Sequence, residues 1–331
     1  AVEAILDRFA GLLPADRGAA VVVKPNLNSN MNALTGNTTD LRLLHAILCG
    51  LRRRGYANVT IAEGTNSGYY RQGINVISRL CVDRLAAATG CAVKDTNYDE
   101  GVAVPFEGGQ TAEVARTYLE ADFLINVPKI KMHYETEMSV CLKSLIGALV
   151  GMANKKKAHA SLIKNICNLN EAIRPHLQIV DGVVAMEGNG PTTGEPVLLG
   201  VVLAGTNPYR LDMAAARLAG CPFGAVAALV EAQRRGRIGP ADHRYVASLP
   251  LPRVDRALRR PKVPFLTRLV TDKRLQKHFL RIRHAPLVRD FFNGRLGNRL
   301  LFRMRLTQEV MIPHDRGPLR VRHHQRRPPR R

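Results

Sequence analysis

Short apolar runs rich in β-branched residues alternate with longer amphipathic stretches over residues 1–220. Ala20–Lys24, Asn58–Glu63, Cys91–Asp95, Asp122–Val127, Leu177–Asp181 and Leu198–Ala204 have the length and composition of strands. Between them lie helix patterns. Leu41–Arg54 is amphipathic, with Asp40 placed to cap it and Gly55 to stop it. Asn75–Thr89 stops at Gly90, Ala112–Glu120 is short, and Met138–Met152 is almost entirely apolar. Ser161–Ile173 is closed by Pro175, and Leu211–Leu218 by Gly220. Strands separated by helices of this length pair in parallel, which predicts an α/β fold with a mostly parallel, doubly wound sheet.

In such sheets ligands bind beyond the carboxyl ends of the strands, and here five strand ends are polar. Lys24 and Asn26 follow the first strand, with Pro25 between them fixing the exit direction of the chain. Glu63 follows the second strand, and Asp95 and Asn97 the third. In Asn126-Val127-Pro128-Lys129-Ile130-Lys131-Met132-His133, extended alternation puts Lys129, Lys131 and His133 on one side. Two cations and an imidazole on one face suit a carboxylate or phosphate, or else form a solvated basic edge. The imidazole can shuttle a proton near neutral pH. A buried lysine here, such as Lys131, would have a lowered pKa and act as a base or Schiff-base amine.

Lys143 interrupts an apolar helix and either snorkels to the surface or points into the site. Asn154-Lys155-Lys156-Lys157 reads as a solvated charge run, with His159 after it a further substrate-binding candidate. Asp181 closes the fifth strand and leads to Glu187-Gly188-Asn189-Gly190-Pro191. Its glycines expose backbone amides that suit an anion, with Asn189 and Gly190 as candidate substrate contacts; a plain turn is the competing reading. The loop matches neither G-x-x-x-x-G-K-[ST] nor G-x-G-x-x-G, so there is no nucleotide fingerprint. Glu63, Asp181 and Glu187 are the candidate ligands for a divalent cation. Asp212, in the first turn of its helix, either serves the site or only stabilises the helix terminus.

Charge divides the chain. The total is +22; residues 1–230 hold 22 basic against 20 acidic side chains, and residues 231–331 hold 27 against 7. The expected organisation is an α/β domain over 1–236, a Pro-rich linker over 237–264 and a basic appendage over 265–331. In the appendage Leu275, Phe279 and Ile282 form an apolar stripe among Lys and Arg. That pattern suits an anionic membrane surface or nucleic acid, although a chain without Trp is poorly equipped for base stacking. The six cysteines include no C-x-x-C pair, which excludes an iron–sulfur motif or zinc ribbon and fits buried thiols in a cytoplasmic or membrane-peripheral protein. No apolar run reaches membrane-spanning length. The opening at Ala1, inside a helix pattern, is read as a trimmed start.

The segments VVVKPNL, NVPKIKMHYETEMSVCLKSLIGALVG, IVDGVVAMEGNGPTTGEP and NPYRLDMAAARLAG, in that order, resemble the bacterial and archaeal family catalogued as domain of unknown function 362. The resemblance runs from about Val21 to Gly220. It implies that Lys24, Asn26, Lys129, Lys131, His133, Lys143, His159, Asp181, Glu187, Asn189, Gly190, Pro191 and Asp212 occupy the family's motif positions. It implies no reaction. Relatives with cysteine-rich cluster modules suggest a redox scaffold, but this chain lacks those cysteines.

Three functions follow as expectations. One is an enzyme acting on a small phosphorylated or carboxylated metabolite, with His133, Lys131 and Asp181 catalytic and Lys24, Asn26, Lys129, Lys143, His159, Asn189 and Gly190 binding. The second is a non-catalytic protein whose basic region contacts membrane or nucleic acid. The third is the redox scaffold of the relatives.

Overall fold

A computed structural model describes residues 1–65 and 74–262. Ten strands form within it: β1 (Val21–Pro25), β2 (Val59–Glu63), β3 (Ala92–Asp95), β4 (Gly101–Pro105), β5 (Thr111–Ala115), β6 (Phe123–Val127), β7 (Lys129–His133), β8 (Glu137–Ser139), β9 (Leu177–Glu187) and β10 (Glu195–Gly205). Eight build one sheet in the order β3-β2-β1-β6-β9-β7-β8, with β10 also on β9; β4 and β5 form a separate hairpin. The β3-β2-β1-β6-β9 run is parallel, and so is β7 on β9, whereas β8 and β10 are antiparallel to their neighbours. The α/β class and the mostly parallel sheet are as the pattern predicts.

Both faces of β1 and β6 are covered, which is why they read as continuous apolar runs. Val21, Val23, Phe123, Ile125 and Val127 pack with Leu44, Ile47, Leu48 and Leu51 of the helix Leu41–Arg53. Val22 and Leu124 face the other way, against Val104, Val114, Leu145 and Leu149. A third core joins Ile130 and Met132 of β7 to the helices Leu162–Ala172, Pro208–Leu218 and Ala227–Arg234. Asp40 caps the helix Leu41–Arg53 by accepting from the Arg42 amide, as expected.

Pro128 organises the centre. β9 pairs first with β6, through Ile125–Leu177 and Asn126–Gln178, and then with β7, through Lys129–Asp181 and Lys131–Met186. Pro128 has no amide to donate, but its carbonyl accepts from Asp181 N at 2.8 Å, so the strand bends without losing its hold on β9. β7 thereby continues the line of β6 beyond the carboxyl end of β1.

Three elements differ from expectation. Ala112–Glu120 is the second half of a hairpin, β5, followed by the single helical turn Arg116–Leu119. Its helix-forming residues yield to pairing with β4 and burial of Ala112, Val114 and Ala115. Met138–Met152 is not one helix. It comprises β8, the turn Cys141–Ser144, the 3₁₀ segment Leu145–Ala148 and the start of a new helix, Gly151–Ala160, whose first residue has a positive φ of 61°. The stretch expected to be a linker from 237 contains the helix Pro240–Ser248. It continues as a strap whose Leu258 amide donates to the Ala219 carbonyl at 2.9 Å. The compact unit therefore includes the strap through residue 262. The basic appendage, with Leu275, Phe279 and Ile282, lies outside the described residues.

Candidate functional site

A polar row crosses the sheet from the carboxyl ends of β1 and β6 to the start of β9. Lys24 is in register with Asn126, and Asn126 with Gln178. Asn126 Nδ2 donates to Gln178 Oε1 at 2.8 Å, and Ser144 Oγ donates to Asn126 Oδ1 at 3.0 Å. Lys24 is fully buried; its Nζ donates to the Ser144 carbonyl at 2.8 Å and pairs with Glu63 Oε2 at 2.5 Å. Burial pushes the Glu63 carboxyl up, against the pull of Lys24.

Lys129 and Asp181 form a second buried pair at 2.9 Å. Asp181 also accepts from the Asp40 amide at 2.7 Å and the Val183 amide at 3.0 Å. Three donors on one carboxylate fasten β7, β9 and the start of the Leu41–Arg53 helix together. Thr39 adds to the clamp, donating to the Val127 carbonyl and accepting from the Asn26 amide, both at 2.8 Å.

Lys131 has no carboxylate. Its Nζ donates to Asn26 Oδ1 at 2.9 Å and to the Asn37 carbonyl at 2.8 Å. Burial, and then the like charges of Lys143 and Lys129, hold its pKa well below the ordinary lysine range. A neutral amine has two N–H donors and one lone pair, so these two acceptors satisfy the neutral form. His133, two residues on, is buried, and burial followed by the charges of Lys143 and Lys131 pushes its pKa well below 6.5. Its Nδ1 lies 3.1 Å from the Glu135 amide, which donates to it and so fixes the tautomer with the proton on Nε2.

Lys143 stands on the turn Cys141–Ser144 and keeps partial contact with solvent. Burial of its amine pushes the pKa down to about 8. His159 is exposed, 3.3 Å from Glu135, and its charge also bears on His133. Asn26 thus joins the group directly, and Lys143 and His159 flank it.

Several groups reach the site unheralded by the sequence pattern. Lys155, read there as part of a solvated run, is buried on the helix Gly151–Ala160. Its Nζ donates to the Gly64 carbonyl at 3.0 Å, the Thr65 carbonyl at 3.1 Å and Asn97 Oδ1. Burial lowers its pKa to about 8. A Cβ on Gly64 would stand 2.4 Å from the Gly147 carbonyl oxygen and 3.0 Å from Lys155 Nζ, so only glycine fits there. Asn37, Thr39 and Ser144 had no distinguishing pattern at all.

The three carboxylates expected to hold a divalent cation are not assembled for it. Glu63 pairs with Lys24, Asp181 with Lys129, and Glu187 with Arg256 and Arg259 at 2.7–2.8 Å. Among the described residues no three His, Cys, Asp or Glu side chains form a metal-holding group. The Arg256 hydrogen bonds hold the Glu187 carboxyl down to about 2, with burial opposing them. The loop after β9 is tied to the strap rather than opened to a ligand. Gly188 N donates to the Arg259 carbonyl at 2.7 Å, and Asn189 Oδ1 accepts from Lys262 N at 2.8 Å. Gly190 packs beneath β7, where a Cβ would stand 2.0 Å from the Met132 carbonyl oxygen. Asp212 is buried and accepts from the Cys141 amide at 2.7 Å and the Leu142 amide at 3.2 Å, fixing the turn that bears Lys143. Burial pushes its carboxyl up to about 7.

Five lysines gathered at the carboxyl edge of a mostly parallel sheet define an α/β protein with a cationic strand-end cluster. The chain belongs to the family described as Domain of unknown function (DUF362), whose profile matches residues 21–217, more than half of its length. It is also similar to a thylakoid-associated protein of Synechocystis sp., 34% identical over an alignment of 127 positions that covers 33% of this chain and 39% of that one. The chain thus spans less than half the length of that curated relative. Among solved structures, the lactate racemase apoprotein from Thermoanaerobacterium thermosaccharolyticum aligns at 14% identity with a TM-score of 0.41, over 62% of this chain and 52% of that one. A protein from Thermotoga maritima aligns at 14% identity and TM-score 0.35, over 62% and 55%.

Proposed function

We propose that this protein is an enzyme whose strand-end cluster binds a small phosphorylated or carboxylated metabolite. The observation behind the reading is the imbalance of buried charge. Lys24 and Lys129 have carboxylate partners, whereas Lys131 and Lys155 are held by neutral oxygens and Lys143 has no ion-pair partner among the described residues. An ammonium desolvated without a paired counter-charge is costly, and these amines meet that cost with lowered pKa values. An anion from solution offsets that cost, and its arrival raises the pKa of each lysine it touches.

In this reading Lys131 and Lys143 contact the anion, with Asn26 orienting Lys131. His133, neutral and protonated on Nε2, donates a hydrogen bond to the substrate. Asp181, its oxygens engaged by Lys129 and two backbone amides, acts as a positioning residue for β7. A divalent cation, if one takes part, arrives with the substrate, since the carboxylates once expected to hold it are each paired.

The test is thermal unfolding of the full chain against phosphorylated and carboxylated metabolites and inorganic phosphate. A ligand at a hundred times its dissociation constant adds about 2.7 kcal/mol of stability. Lys131→Met should abolish the response to the best ligand. A panel without any stabilising anion, or a response untouched by Lys131→Met, refutes the reading.

A second reading concerns location. The relative's name places that protein at thylakoids, and residues 231–331 of this chain carry a net charge of +20. No helix among the described residues is long and apolar enough to cross a membrane. We infer peripheral attachment to an anionic bilayer through the basic region. Flotation with phosphatidylserine vesicles but not phosphatidylcholine vesicles supports it; equal flotation with both, or none, opposes it.

A further inference from the structure

We propose that Lys143 is the nucleophilic amine of this site and forms an imine with a small carbonyl compound bearing a carboxylate or phosphate group. The proposal rests on the anion-binding reading above and names the substrate class within it.

The geometry separates Lys143 from the other four lysines. Lys24 is locked to Glu63 and the Ser144 carbonyl, and Lys129 to Asp181. Lys155 meets three oxygens. Lys131, a candidate amine from the sequence, is 1% exposed with both N–H groups of its neutral form engaged. Lys143 has no hydrogen bond or ion pair among the described residues and alone of the cluster keeps partial access to solvent.

Its base is nevertheless rigid. The turn Cys141–Ser144 is fixed by Asp212 on the Cys141 and Leu142 amides, by Asn170 Nδ2 donating to the Leu142 carbonyl at 2.9 Å, and by Lys24 on the Ser144 carbonyl. A free amine on an anchored turn is what a covalent step needs, because little motion has to be frozen at the moment of attack. The surrounding charges complete the chemistry. The anionic end of the substrate raises the pKa of Lys131 on arrival and so meets it as an ammonium. With the Lys143 pKa near 8, about half of its amines are unprotonated at pH 8, roughly a hundredfold more than for an exposed lysine.

The step balances without oxidant or reductant. The Lys143 Nζ lone pair adds to the carbonyl carbon. Two hydrogens of the original ammonium leave with the carbonyl oxygen as water, and the C=N bond forms with one hydrogen and the positive charge retained on nitrogen. His133, whose Nδ1 is occupied by the Glu135 amide, presents Nε2–H as a hydrogen-bond donor that polarises the carbonyl oxygen, and the protons pass from nitrogen to oxygen through the solvent that reaches Lys143.

The test is reductive trapping on the full chain. Glyoxylate and glycolaldehyde phosphate are the probes, uncharged glycolaldehyde is the control, and sodium cyanoborohydride is the reductant; adducts are mapped by peptide mass spectrometry. The charged probes should label Lys143 at least about tenfold faster than any surface lysine at pH 8, in line with its free-amine fraction, and should leave Lys131 and Lys155 unlabelled because both are buried with their amines engaged. Inorganic phosphate should protect it, and Lys143→Arg should remove the adduct while phosphate still raises the melting temperature. Labelling of Lys131, or labelling spread over surface lysines, overturns the proposal. Absence of any adduct while phosphate still stabilises the protein overturns the imine and leaves the anion site standing. Absence of both refutes the two readings together.

Discussion

Replacing Asp212 by Asn should flatten the pH dependence of stability. Asp212 is buried at the head of the turn Cys141–Ser144, and its pKa rises from an ordinary 3.8 to about 7 in the fold. The folded state therefore holds a proton that the unfolded state has released. For a group raised on folding, stability is fully present below pH 3.8 and is lost as pH climbs through 7. Between pH 5 and pH 8 this group alone should cost the native protein about 2.6 kcal/mol, or about 1.4 to 3.6 kcal/mol with a unit of latitude in the folded value. Asn keeps a carbonyl oxygen for the Cys141 and Leu142 amides and carries no charge at either pH. Urea unfolding of wild type and Asp212→Asn at both pH values isolates the effect, because other titrations cancel in the difference. His133, lowered on folding, drives stability the other way as pH falls and is common to both proteins. If the gap between the two proteins is the same at pH 5 and pH 8, Asp212 is not protonated in the fold and the reasoning fails.

Other consequences are open to direct measurement. Lys129→Met leaves Asp181 buried without its cation and should cost about 3–5 kcal/mol in urea unfolding, with a loss below 1 kcal/mol showing that solvent reaches the pair. The His133 ring should show no titration of its carbon-bound proton shifts from pH 5.5 to 8; a midpoint near 6.5 would mean that it is open to water. Glu187→Gln removes the anchor of the strap. After discounting for the exposure of Arg256 and Arg259 it should cost about 1–2 kcal/mol and make the chain more susceptible to trypsin at Arg256, Arg259 and Arg260. Since the Glu187 carboxyl is lowered on folding, its contribution is present above pH 4.5 and fades as pH falls toward 2. Unchanged cleavage in the variant would show that the strap is held by other contacts.

β1 was legible from its β-branched run, whereas Lys129, Lys131 and His133 were legible only from their period-two alternation: the segment expected to follow a strand end forms a strand of its own, β7. Lys24, Lys129, Lys131 and His133 all fall where that reading puts them, and Asn26 meets Lys131 as the convergence of strand ends implies. Lys155 was hidden by its neighbours: Lys156 and Lys157 are exposed, and only the helix phase set by Gly151–Ala160 turns Lys155 inward. Glu187 misled for the opposite reason. A carboxylate beside glycines looks like a ligand for an incoming ion, and its real partners, Arg256 and Arg259, lie some seventy residues later in a segment that reads as a linker. The apolar stretch from Met138 concealed its breaks because burial, not helical phase, selects its residues, and Gly147 and Gly151 act through close approach and a positive φ that hydrophobicity does not register.

The site's hydrogen bonds are among the longest-range in the chain: Lys131 to Asn26 spans 105 residues, Lys24 to Ser144 spans 120, and the Asp40 amide to Asp181 spans 141. Local elements form early, and contacts this distant in sequence are made late. Contact order accordingly places the meeting of these lysines late, as the sheet closes and strips water from their amines. On the anion-binding proposal, an anion in the medium would act on that step. Refolding in phosphate should accordingly be faster than in chloride at equal ionic strength, and the ligand that the finished site holds would also hasten the site's own assembly.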